Sequence, residues 1–147
     1  MRLGIWGALL LMVACCAGCA SQPAAPLVSA VAPGQARITI RRTDEGPSWG
    51  AAAQIAINGA HVAELAPGQS YSGGLPPGPV AMTVTANMDI GQYDLKFNAV
   101  AGRSYAFEVS RRGEHMAAGM FGLTGMILET AANGNQSGAF KITEVAR

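Results

Sequence analysis

The chain has 147 residues, with ten lysines and arginines against nine aspartates and glutamates, for a formal net charge of +1. A balance this even leaves no electrostatic footprint for nucleic acid and no polybasic patch for anionic lipid. Nineteen glycines, 13% charged residues and 6% aromatics suit one turn-rich β domain better than a helical bundle.

Residues 1–19 read MRLGIWGALLLMVACCAGC. Arg2 supplies a short positive region, Leu3 to Ala14 an apolar one, and small residues follow, which is the layout of a secretory signal. The apolar run is too short for a comfortable transmembrane helix, which needs about 20 such residues. The stretch Cys16-Ala17-Gly18-Cys19 resembles the lipobox of bacterial lipoproteins, with Cys16 standing where leucine is usual. The resemblance implies cleavage after residue 18 and lipidation of Cys19. Ala20 rather than aspartate after that cysteine resembles an outer-membrane sorting signal, so the expected location is the periplasm-facing outer membrane. All three cysteines lie within the first 19 residues, so the remainder folds without a disulfide even in an oxidising compartment.

Residues 19–35 are rich in Pro, Ala and small polar residues and are expected to form a lipidated, flexible tether, with the folded domain spanning 36–147. Arg37–Arg41 and Gln54–Ile57 alternate polar and apolar side chains, the period of a half-buried strand. Asn58-Gly59 is a strong hairpin signal, and His61–Leu65 should pair back from it. Pro67-Gly68 marks a turn, and residues 73–79, GGLPPGP, read as a breaker cluster. Val80, Met82, Val84 and Ala86 share one strand face; Tyr93, Leu95, Phe97 and Ala99 share the next; Tyr105, Phe107 and Val109 continue the pattern. The expected fold is all-β: an antiparallel sandwich or small open barrel of about 6–8 short strands.

Residues 113–128, GEHMAAGMFGLTGMIL, break this rhythm. Met116, Met120 and Leu123 would share a helical stripe, but each internal glycine costs about 1 kcal/mol relative to alanine. The expectation is a Gly-rich loop with a short helical turn near 115–123, a strand at Met126–Thr130, a turn at Asn133-Gly134-Asn135 and a last strand over 139–145.

The order of an apolar strand, Ile57-Asn58-Gly59, Leu75-Pro76-Pro77-Gly78-Pro79-Val80 and Val100-Ala101-Gly102-Arg103-Ser104-Tyr105 resembles PEGA-like β domains. It is similar also to a family of small bacterial lipoproteins known only as a domain of unknown function. The resemblance spans roughly residues 36–112 and rests on turn glycines and core apolar residues. It implies a cell-envelope β-sandwich and carries over no catalytic residue.

No serine lies in a G-x-S-x-G elbow and no phosphate-binding loop motif occurs. His61 adjoins the hairpin and is expected to be solvated. Asp89 and Asp94 flank a turn without the ligand density of a calcium loop. His115 and Met116, with Met120 and Met126 nearby, are weak candidates for a soft metal site, although methionine is also the common filler of irregular cores. Met120, Phe121, Leu123, Met126 and Ile127 are too apolar for an ordinary long loop. They are expected to complete the core; otherwise they form an adaptable contact surface for another envelope protein, a second copy or lipid.

The expected function is therefore that of a lipid-anchored, non-catalytic binding or structural module of the cell envelope, without a cofactor. The alternative is a metal or small-ligand carrier using His115 and the nearby methionines; a hydrolase ranks third. Substituting Cys19→Ala should yield an unlipidated chain that leaves the membrane fraction or stays uncleaved. Fractionation with acyl-chain labelling checks this, and a variant that partitions like the wild type would remove the anchor.

Overall fold

The computed structural model describes residues 26–44, 51–87 and 89–146. The leader, Cys19 and the first part of the expected tether lie outside the described residues. Among the described residues, nine strands form two facing sheets, and a helical pair is inserted before the last strand. The strands are β1 (Leu27–Val28), β2 (Ala36–Arg42), β3 (Ala53–Ile57), β4 (Ala60–Leu65), β5 (Ser70–Leu75), β6 (Gly78–Ala86), β7 (Tyr93–Ala99), β8 (Ser104–Arg111) and β9 (Phe140–Glu144). One sheet has the order β1-β5-β2-β8-β9 and the other β4-β3-β6-β7. The two sheets do not close on each other, so the fold is a sandwich and not a barrel.

Alternation builds the core as expected. Ile38 and Ile40 of β2, Ile55 of β3, Met82 and Val84 of β6, and Phe107 and Val109 of β8 are all buried. The Asn58-Gly59 turn has positive φ at both residues (50° and 81°), the geometry whose twist matches a two-residue hairpin. Asn58 also donates its backbone N–H to the carbonyl of Ala81 and accepts the Ala81 N–H on its side-chain oxygen, both at 2.8 Å, which ties the turn to β6.

Four expectations are corrected. The first sheet is mixed, not antiparallel, because β2 runs parallel to β8 and β1 parallel to β5. Residues 73–75 belong to β5 and not to a breaker: Gly73 stands on the buried face beside Tyr71, where an added Cβ would run into the tyrosine ring. The expected tether is shorter, since Leu27 and Val28 already pair with Tyr71 and Ser72 and Ser29 donates to the Ser72 carbonyl at 2.7 Å.

The fourth correction concerns residues 113–133, which form two helices, α1 (Gly113–Gly119) and α2 (Gly122–Asn133), in place of a loop and a strand. Gly122, at φ 68°, takes the left-handed conformation that breaks one helix into two. Gly125 lets the helices meet, because a Cβ there would collide with the Ala118 carbonyl and lie 2.9 Å from the Phe121 Cβ. The glycines that lower helix propensity in the sequence are thus the means of packing a helical hairpin.

Arg42 joins the two sheets. It lies at the end of β2, buried, and donates to the carbonyls of Leu65 at 2.8 Å and Ala51 at 2.7 Å on the opposite layer. Its guanidinium also covers the Phe140 ring at 4.7 Å. Burial, then the nearby Arg111 charge, lower its pKa, and Asp44 offsets part of this. Replacing Arg42→Met should lower stability by about 2–4 kcal/mol, because two carbonyls lose their donor. Urea denaturation measures this; a loss below about 1 kcal/mol would show that the two carbonyls find other partners.

Candidate functional site

β8 ends at Arg111, and Arg112 leads directly into α1. The two helices carry almost no apolar anchor. His115 is the buried residue of α1, and α2 has no fully buried residue at all. A polar cluster beneath the hairpin holds it instead. His115 lies between two carboxylates, with Nδ1 3.0 Å from Glu129 Oε2 and Nε2 2.9 Å from Asp89 Oδ1. Arg112 completes the chain: its guanidinium pairs with the other oxygen of Glu129 at 2.8 Å and donates to the Gly138 carbonyl at 3.2 Å. Asn133, one turn beyond Glu129 on α2, donates to both the Glu129 carboxylate and its backbone carbonyl at 3.0 Å.

These four ionisable side chains come from four places. Arg112 follows the first sheet, Asp89 lies in the β6–β7 connection of the second, His115 is on α1 and Glu129 on α2. Their side chains are 6–16% exposed, so each ion pair is largely desolvated and depends on its partner. A doubly protonated imidazolium can donate to both carboxylates, whereas a neutral ring can satisfy only one.

Burial opposes ionisation of Glu129, but hydrogen bonds from His115 and Arg112, and their charges, outweigh it and hold the carboxyl below its ordinary value. Around the cluster, Ser137 is buried and donates its backbone N–H to the Gln92 carbonyl at 2.9 Å, and Asp94 accepts from Thr83 at 2.7 Å and Asn135 at 3.0 Å. A shallow polar cleft beside the cluster is lined by Tyr93, Arg112, Glu114 and Lys141.

The candidates from the sequence separate. His115 is buried with both ring nitrogens engaged, while its neighbour Met116 is 44% exposed, so the two do not converge on one point. Among the described residues, no group of three or more His, Cys, Asp or Glu side chains has a metal-holding arrangement. His61 is exposed on β4. Met120, Phe121 and Leu123 are 87%, 81% and 65% exposed at the hairpin tip, and Met126 is partly buried. They do not complete the core, because the two sheets already close it between themselves.

Sequence reasoning missed Asp89 and Glu129 as partners of His115. The signal available was Glu129 itself, which directly follows the apolar run Met126-Ile127-Leu128 and is the one charged residue between Glu114 and Lys141. Read as a strand, that segment offered no reason to bring residues 115 and 129 together.

Neither a protein-family model nor a curated protein matches the chain. Among the described residues no helix is long and apolar enough to cross a membrane.

Because the folded pKa of Glu129 is depressed, its ionised form stabilises the native state above the unfolded glutamate value, about 4.3, and that contribution is lost as pH falls through the folded value. Replacing Glu129→Gln should therefore weaken hydrogen-exchange protection of α1 and α2 at neutral pH. The difference from wild type should shrink on acidification below about pH 4. A difference independent of pH would remove Glu129 ionisation as the cause.

Proposed function

We propose that this chain is a lipid-anchored protein of the cell envelope, periplasm-facing on the outer membrane, whose sandwich is a non-catalytic binding or structural module. We take its helical hairpin to be the contact element. The observation that carries this is the exposure of Met120, Phe121 and Leu123 on a hairpin mounted by a buried ionic cluster. An apolar surface held out from a closed core is the usual mark of an interaction site. The lipobox-like Cys16–Cys19 and the resemblance to PEGA-like envelope domains support the location and the module type. The metal-carrier alternative draws less support, since both nitrogens of His115 already face carboxylates.

A photo-crosslinking amino acid placed at Leu123 in the full chain in cells should give adducts with an envelope component. The same group at Val100, 45% exposed in the β7–β8 connection, should give none. Equal yields at the two positions would remove the hairpin as a contact element. The double substitution Phe121→Ser with Leu123→Ser should shift unfolding stability by no more than about 0.5 kcal/mol per site, as expected of exposed positions. A larger loss, seen by thermal melting, would show that these side chains serve the fold.

A further inference from the structure

The strand registers decide which end of the sandwich the N-terminal segment leaves from. Leu27 pairs with Tyr71 in parallel, Tyr71 lies opposite Ile40, and Ile40 lies beside Phe107. Stepping back from Leu27 to Pro26 therefore moves toward Ser70, toward Arg41 and toward Glu108, the direction in which β8 runs into α1. The chain enters the domain at the hairpin end. Seven residue steps separate Pro26 from Cys19, a reach of roughly 25 Å when fully extended. An acyl group on Cys19 is thus confined to the neighbourhood of the hairpin, and the bilayer that holds it is the nearest apolar phase.

The hairpin surface suits that phase. Residues 117–128 contain no ionisable side chain, and Thr124 is their one polar side chain. Met116, Met120, Phe121, Leu123, Ile127 and Leu128 are all exposed. A protein partner is normally recognised through a polar rim around an apolar centre, and this stretch supplies almost no such rim. At about 1.5 Å per residue, the twelve residues of α2 are too short to span a bilayer but long enough to lie in its interface.

The geometry points to the apolar face of the α1–α2 hairpin, centred on Phe121, as a membrane-contact surface that inserts into the bilayer carrying the lipidated Cys19. This rests on the anchored-module proposal above and adds an orientation to it: the β7–β8 end faces away from the membrane. The hairpin end sits on the bilayer.

The test uses the full chain purified from membranes with Trp6→Phe and Trp49→Phe as background, and either Phe121→Trp or Val100→Trp as reporter. Each is reconstituted into vesicles of phosphatidylethanolamine and phosphatidylglycerol, with or without brominated acyl chains, and mass spectrometry reads the lipid on Cys19. The expected result is loss of about half of the Phe121→Trp emission in brominated vesicles, as for a side chain about 5–10 Å below the surface, and no loss for Val100→Trp. With Cys19 lipidated, unquenched Phe121→Trp emission overturns the contact. A short-wavelength emission without quenching overturns it equally, since a second copy would then cover the face. Quenching at both positions overturns the orientation. An unlipidated Cys19 overturns the anchored reading and, with it, the orientation that this proposal adds.

Discussion

Glu129 is the point at which the parts of this molecule are tied together. Its two carboxylate oxygens receive Arg112, which continues the first sheet, and His115, which in turn reaches Asp89 on a connection of the second. Helix α2 has no fully buried side chain of its own, so hydrophobic burial does little to hold it. What holds it is a desolvated chain of charge-assisted hydrogen bonds, each strong only while its partner is present. The hairpin can therefore leave its apolar residues outside without losing its seat on the sandwich.

The sandwich makes this arrangement possible by being complete without the helices. Alternating side chains from both sheets fill the interior, and Arg42 fastens β2 to the opposite layer through two carbonyls. Phe97 of β7 meets both Tyr105 and Phe107 of β8 at ring-centre distances of 5.2 and 5.1 Å, which joins the layers near the other end. A closed core has no further use for Phe121 or Leu123, and their exposure follows from that. The parallel pairing of β1 with β5 adds a directional constraint, because it sends the N-terminal segment to the hairpin end.

Most of the fold was legible in the sequence. The period-2 alternation in β2, β3, β6 and β8 reports which face each strand buries, and Asn58-Gly59 specifies its hairpin through local backbone geometry. β5 was hidden because Gly73 and Gly74 look like breakers until the Tyr71 and Gln35 side chains are seen to occupy the space beside them. The helices were hidden for a related reason. Propensity counts each glycine as a cost, whereas at Gly122 and Gly125 the backbone turn and the close helix approach require glycine.

By itself the sequence determined the strand faces, the tight turn, the cysteine-free domain and an apolar segment in need of a role. These depend on side-chain period and on backbone preferences that act over a few residues. Tertiary structure alone decided the parallel pairings, the placing of Asp89, His115, Glu129 and Arg112 in one buried cluster, and the exposure of the hairpin tip. Those depend on contacts between residues 14 or more positions apart, such as His115 with Glu129, or 26 apart, as with His115 and Asp89. No local pattern encodes which distant carboxylate a histidine will meet, because that meeting exists only after both sheets have formed.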